Sequence, residues 1–410
     1  MGRPMTPVEW IFRVESVIQL AAERGVRTLP NYSSAEHRRF RDEVHMRSVT
    51  AHRDITAHRD ITASINTGIP LLDEHPTSFV KMSFKVYKGS PQGIYESTTK
   101  QPSLTNDQVL IKVSHSGVCG TDVHYKSTDM VLGHEGVGHV EETGPAVRGL
   151  KKGDRVGWGY EHDCCGGCNH CLSGWETFCP ERKMYGFSDT DMGSFATHAV
   201  WREAFLFRVP EELSNEDAAP LMCGGSTVFG AMVVAGVRPT DRVGIVGIGG
   251  LGHLAIQFAN KMGCHVVVFS GTDSKRDEAF KLGAHEFYAT KDAKELNVQG
   301  GKLGHLIVSS SGLPNWELFL NVLDNRAIIS PLTLSSQPFS IPSQALLVKG
   351  LRIQGGIVAS RLVHQQMLEF AAFHGIKPVV MRFPLSEQGI KECFDTLEGG
   401  KMRYRGVLTA

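Results

Sequence analysis

The chain has no surplus of charge of either sign: 43 Lys and Arg balance 43 Asp and Glu. That balance argues against the bulk electrostatic attraction that draws proteins to nucleic acid or to an anionic membrane. No uninterrupted apolar run approaches the length needed to span a bilayer. Aromatics are sparse at 8%, yet 41% of the residues are hydrophobic, enough for a well-packed globular core. With 410 residues the chain can build two domains of ordinary size. No secretory signal pattern is apparent, so the nine cysteines read as thiols in a reducing compartment, the cytosol, and not as a disulfide framework.

Four of those cysteines fall in Cys165-x2-Cys168-x2-Cys171-x7-Cys179. This spacing lets four thiolates close on one tetrahedral ion and leaves no room for water, which makes the site structural. Cys164 adjoins the group but is out of phase with it, a spare thiol. A second donor group lies in GVCGTDVHYKSTDMVLGHEG, residues 117–136, which sets Cys119, His134 and Glu135 beside Thr121, Asp122 and His124. Zinc held by three protein ligands keeps a fourth position open for water or substrate. Thr121 and His124 then offer a hydroxyl and an imidazole close to that position. Cys223, in the glycine-rich AAPLMCGGST, could complete the set. On spacing alone a small residue near a helix start is just as well explained by packing.

Thr6-Pro7-Val8-Glu9 reads as a helix start, with apolar residues at helical spacing up to Gly25. Its glutamates do not suit a transit peptide. AHRDIT then occurs twice, at 51–56 and 57–62, too short a duplication for a solenoid. Residues 1–81 are read as a poorly ordered, dispensable extension. From Met82 short alternating segments broken by Gly, Pro, Asn or Asp predict a compact, barrel-like β domain whose loops carry Cys119 and His134.

Beyond Asp241 the pattern becomes strand, glycine-rich turn, helix. Gly247-x-Gly249-x-x-Gly252 follows the apolar run Val243 to Val246 and precedes Leu254, Ala255, Phe258 and Ala259 at helical spacing. The glycines permit a tight turn and close approach to a dinucleotide pyrophosphate seated on the helix N-terminus. A second strand, His265 to Phe269, ends in Ser270-Gly271-Thr272-Asp273-Ser274-Lys275-Arg276. An NAD site would place a carboxylate at the strand end. Here Ser270 removes it, and Thr272 and Lys275 can bond a 2′-phosphate, so NADP(H) is the expected cofactor. Asp273, past the strand end, is the one residue that runs against this.

From Met82 onward, about four-fifths of the chain, GVCGTD-x-H, GHE, the four-cysteine lobe, CGGSTVFG and GIGGLGH occur in the order that resembles the zinc-dependent medium-chain alcohol dehydrogenases. The nearest group looks like the NADP-dependent cinnamyl-alcohol-dehydrogenase type. The resemblance implies an α/β fold: a GroES-like catalytic domain of residues 82–224 and 358–410, and a Rossmann doubly wound parallel-sheet domain of residues 225–357. It makes Cys119, His134 and Cys223 the ligands of a catalytic zinc, with Glu135 able to exchange onto the metal and Asp122 supporting the site. Thr121 and His124 match the proton relay, and Cys165, Cys168, Cys171 and Cys179 the structural zinc. Gly247, Gly249, Gly250, Leu251 and Gly252 match the pyrophosphate turn, Thr227 a nicotinamide contact, and Ser270, Thr272 and Lys275 the 2′-phosphate pocket. The implied enzyme, a homodimer with two zinc ions per chain, interconverts a small-molecule alcohol and an aldehyde or ketone with NADP(H).

One departure stands out: only 14 residues separate Cys119 from His134, several fewer than in most relatives, in a connection that normally helps line the substrate cleft. A reductase of conjugated C=C or C=N bonds on the same fold is the rival enzyme, and retention of Thr121 and His124 favours carbonyl chemistry over it. A nucleotide-binding sensor without catalysis would be expected to have lost a ligand, and none is lost.

Overall fold

A computed structural model describes residues 82–410 apart from 102 and 336. The expected helix near the N-terminus and the AHRDIT duplication lie outside these residues. The described part falls within one compact unit, Thr77–Ala410, built on two large sheets, with two-stranded ribbons at Met82–Lys88 with Tyr95–Gln101 and at Glu161–Asp163 with Lys183–Met184.

The larger sheet has seven strands. Six run in the order Val380–Pro384, Arg405–Thr409, Gln108–Val118, Gly136–Thr143, Arg155–Trp158 and Phe207–Arg208, and His198–Arg202 also pairs with Gln108–Val118. All its pairings are antiparallel except that between Val380–Pro384 and Arg405–Thr409. The segments whose alternation predicts strands from Gln108 to Trp158 form them. The last strand packs back on the first part of the chain by pairing Gly406 to Thr409 with His115 to Val118.

The smaller sheet has six parallel strands in the order Glu286–Ala289, His265–Ser270, Arg242–Val246, Leu303–Val308, Leu323–Pro331, Arg352–Ile353. Numbered along the chain this order is 3-2-1-4-5-6, the doubly wound arrangement whose crevice opens where the order reverses. Its strands are buried on both faces, as crossover helices require. Val243, Ile245, Val266, Val267, Val268 and Phe269 are all fully buried. Phe258, on the helix after the glycine turn, shares a core with Val137 of the larger sheet and Met222 and Val228 between them.

One helical run, Asn215–Val234, is long and apolar enough to cross a membrane, but 67% of its apolar window is buried inside the protein. It connects the two sheets and carries Cys223 and Thr227. The helices Ser343–Lys349 and Glu387–Glu398 were not foreseen from the sequence. Ser343–Lys349 buries none of its residues, which leaves it without an apolar face to read, whereas Glu387–Glu398 does carry one, in Ile390, Cys393 and Phe394.

Candidate active site

Cys119 ends the strand Gln108–Val118 and caps the short helix Gly120–Tyr125. Its sulfur accepts from Thr121 N at 3.3 Å, while Asp122 Oδ2 reaches back to accept from Cys119 N at 2.9 Å. This reciprocal capping box fixes the thiol at the helix start. The other oxygen of Asp122, which is fully buried, accepts from His134 Nδ1 at 2.8 Å. A carboxylate on Nδ1 sets the ring tautomer and leaves Nε2 bare. That nitrogen lies 3.2 Å from Cys119 Sγ.

Cys223 comes from a π-turn, Leu221–Gly225, that interrupts the long helical run. Such wide turns inside helices recur at functional sites, because they push one residue out of the helical repeat. One donor atom each from Cys119, His134, Glu135 and Cys223 lies within 4.8 Å of the others. The close approach is tight: a Cβ on Gly117 would fall 2.0 Å from Glu135 Oε2, so only glycine fits there.

The electrostatics suit a cation. A thiol hydrogen bond from Cys223 holds the Cys119 sulfur well below the usual cysteine range in spite of burial, with His134 adding to the effect. The same bond, together with burial, pushes Cys223 up. Burial opposes charge on His134, yet Asp122 and Cys119 lift it well above the imidazole norm. Burial raises the Glu135 carboxyl to about 7 against the pull of Arg405. Glu135 Oε2 is buried without a partner. Two thiols and an imidazole are the donors zinc prefers, and they fit a three-ligand site.

The other four cysteines form a separate group, with Cys165–Cys171, Cys168–Cys171 and Cys165–Cys179 sulfurs 3.9, 3.6 and 3.5 Å apart. Backbone N–H groups of Cys168 and Glu181 point at two of the sulfurs. Four thiols at tetrahedral spacing fit a closed structural zinc. Cys164 stays outside the group.

In the glycine turn, Gly247 has φ +93° and a Cβ there would strike Ser310 at 2.7 Å, while one on Gly252 would lie 1.9 Å from Gly247 O. A Cβ on Gly249 would meet nothing within 4 Å. The turn therefore presents bare backbone at the start of the helix Gly252–Lys261, the cradle a pyrophosphate occupies.

The family model for the alcohol dehydrogenase GroES-like domain matches residues 105–211, and that for zinc-binding dehydrogenases matches residues 250–372. An alcohol dehydrogenase of Geobacillus stearothermophilus is 34% identical over 75% of this chain and 94% of its own length. Cinnamyl alcohol dehydrogenase 8 of Arabidopsis thaliana is 32% identical over 73% and 87%. The chain belongs to the zinc-binding alcohol dehydrogenase family. Among solved structures, a cinnamyl alcohol dehydrogenase from Sorghum bicolor superposes with a TM-score of 0.75 at 31% identity, covering 80% of this chain and 98% of that one. The expected fold, a GroES-like domain with a Rossmann sheet, is thereby established, and with it oxidoreduction between alcohols and aldehydes.

Within this dehydrogenase, Thr121 is half-buried and His124 exposed, one turn apart on the same short helix. Thr227 lines an apolar cavity of about 380 Å³ with Trp175, Phe178, Leu332, Ile357 and Leu362. A larger groove of about 920 Å³ lies elsewhere, between Lys126 and Ser127, on the connection from Cys119 to His134, and the helix Glu387–Glu398. Neither the cavity nor the groove is lined by a donor residue, and the Lys126–Glu398 ion pair at 2.5 Å stands on the wall of the groove.

Ser270 ends its strand half-buried, and Thr272 Oγ1 lies 2.9 Å from Ser274 Oγ. Asp273 is turned onto Arg276 at 2.5 Å, which answers the objection it raised against a phosphate. The residue the sequence reading missed is Arg405. Its guanidinium is buried, forms an ion pair with Glu135, and lies against the glycine turn, where a Cβ on Gly250 would meet it at 2.9 Å. The available signal was an arginine facing inward from a closing apolar strand, Arg405–Thr409, where charge is costly unless paired.

Proposed function

We propose that the chain is an NADP(H)-dependent zinc alcohol dehydrogenase that reduces aromatic or α,β-unsaturated aldehydes. The observation that carries the reading is the convergence of Cys119, His134 and Cys223, from three distant segments, on one buried point with Asp122 behind the imidazole. Zinc held there supplies a Lewis acid for the substrate oxygen, and NADPH on the glycine turn supplies the hydride.

Everything else falls to the chain's own groups. Asp122 fixes the His134 tautomer, and the Arg405 pair holds one Glu135 oxygen while leaving the other free. In reduction Thr121 gives its hydroxyl proton to the oxygen of the forming alcohol, and His124, exposed to solvent, lies toward the bulk supply. In the oxidative direction the same hydroxyl accepts the proton. The aromatic wall of the cavity beside Thr227, from Trp175 and Phe178, supports an apolar, planar substrate.

Residues 82–224 with 358–410 serve as the catalytic part and 225–357 as the nucleotide part. Leu334, Leu347, Val348 and Ile353 are exposed along the free edge of the smaller sheet, which supports a homodimer paired there. Donor thiols in both clusters suit a reducing compartment, the cytosol.

The deciding experiment follows NADPH oxidation with short aliphatic, aromatic and α,β-unsaturated aldehydes, before and after metal removal. With an enal the expected product is the allylic alcohol. A saturated aldehyde as product would instead assign the conjugated-bond reductase.

A further inference from the structure

Lys275 and Arg403 lie far apart in the chain yet share one aromatic ring. Lys275 Nζ sits 4.9 Å from the ring centroid of Tyr404, and the Arg403 guanidinium carbon 5.3 Å from it. The ring itself is held in place. His253 stacks on it at 5.0 Å, and its hydroxyl donates to Glu278 at 2.6 Å. Lys275 donates at 2.6 Å to Ile248 O, a carbonyl of the glycine turn, and this puts the ammonium beside the dinucleotide cradle. Arg403 is 3.3 Å from Glu278 and half exposed.

Two cations thus crowd one tyrosine next to the turn, with Glu278 the carboxylate between them. Burial and the nearby Arg403 both disfavour the charge on Lys275. Crowded cations of this kind are relieved by a dianion, and a guanidinium offers it two N–H donors at once. Asp273, just past the strand end, is already engaged by Arg276, which leaves Glu278 as the carboxylate a phosphate would have to displace from Arg403.

We propose that Arg403 is a second cation for the 2′-phosphate of NADP(H), acting with Lys275 from the shared Tyr404 platform, and that it helps set the preference over NAD(H). On binding, Arg403 exchanges Glu278 for the phosphate while the Tyr404 hydroxyl keeps its bond to Glu278. This rests on the NADP(H) reading above and deepens it, because neither Arg403 nor Tyr404 figures in the strand-end motif.

The test is fluorescence titration of the zinc-loaded full-length protein with NADPH and, separately, NADH, for wild type, Arg403→Gln and Arg403→Lys. Loss of one charge-assisted contact should weaken NADPH about tenfold in Arg403→Gln. NADH should move by less than about twofold, since it has no group for Arg403 to contact. Arg403→Lys should recover part of the loss, and it keeps the question open to measurement should the glutamine variant fold poorly. Added salt should weaken NADPH more in wild type than in Arg403→Gln. Equal weakening of both cofactors would reduce Arg403 to a prop for Tyr404 and overturn the inference, as would no weakening at all. A wild-type protein that binds NADH as tightly as NADPH would instead sink the NADP(H) reading itself, before any variant is made.

Discussion

The two donor clusters are made of similar atoms and differ in almost everything else. Cys165, Cys168, Cys171 and Cys179 come from one lobe, and what meets their sulfurs is backbone N–H of the same lobe. Cys119, His134 and Cys223 come from a strand end, a loop and a π-turn, and they arrive with Asp122, Glu135 and Arg405 around them. A local cluster can be closed by its own loop and needs nothing from the fold. A cluster assembled from distant segments can be surrounded by charge and left one ligand short, which is the condition for chemistry.

That contrast breaks most sharply at Cys223. Cys223→Ser should halve the zinc content and, because a Lewis acid supplies several kcal/mol of barrier lowering, slow turnover by about 10³-fold or more. Metal analysis beside steady-state rates checks both. Retention of two zinc ions with normal rates would merge the two clusters into one structural class. Next in size, Asp122→Asn keeps every ligand but removes the charge behind His134. Turnover or zinc affinity should drop about 10–100-fold. His124→Ala belongs in the same range, about 10²-fold, with zinc content unchanged.

Cys168→Ser tests the other side. The buried donors are untouched, so the rate per zinc-loaded active site at low temperature should stay within a few-fold, while the melting temperature falls by roughly 5 °C or more as the lobe loses its metal. Scanning calorimetry with and without added zinc reads this directly. A catalytic loss at temperatures where the fold persists would mean that the lobe reaches the chemistry.

The same contrast governs what the sequence makes legible. The four-cysteine spacing is local and declares its geometry outright. The glycine turn does so too, because Gly247 needs a positive φ and Gly252 a bare approach to its neighbour's carbonyl. The parallel strands read clearly because both faces are apolar. Cys223 is different: nothing in its own neighbourhood points to a metal, and the family resemblance was needed to join it to Cys119. Arg405 escaped altogether, since its partner Glu135 lies 270 residues away and only the folded sheet brings them together. The groove bordered by the helix Glu387–Glu398 was likewise invisible, as a groove is a property of two elements and of no single stretch.

The finest test of the comparison is whether the lobe is wholly passive. Glu176, in the lobe between Cys171 and Cys179, is only 3% exposed. Its Oε1 accepts from the backbone N–H of Arg361 at 2.6 Å and from its side chain at 3.2 Å, at the start of the helix Arg361–His374. The segment just before that helix, Gly355 to Ser360, lines the cavity that also holds Thr227 and Phe178. The lobe therefore grips one wall of that cavity through a single carboxylate. Glu176→Gln keeps the shape but gives up the charge-assisted part of those bonds, a loss of about 1 kcal/mol. KM for a bulky aromatic aldehyde should rise about threefold to fivefold with kcat little changed, and the melting temperature should fall by about 2–4 °C. Zinc should stay at its wild-type content, because no donor is touched. A matching rise in KM for a two-carbon aldehyde would point to general loosening of the fold. A rise confined to bulky substrates would show that the four-cysteine lobe, structural in its metal, also shapes the wall against which the substrate rests.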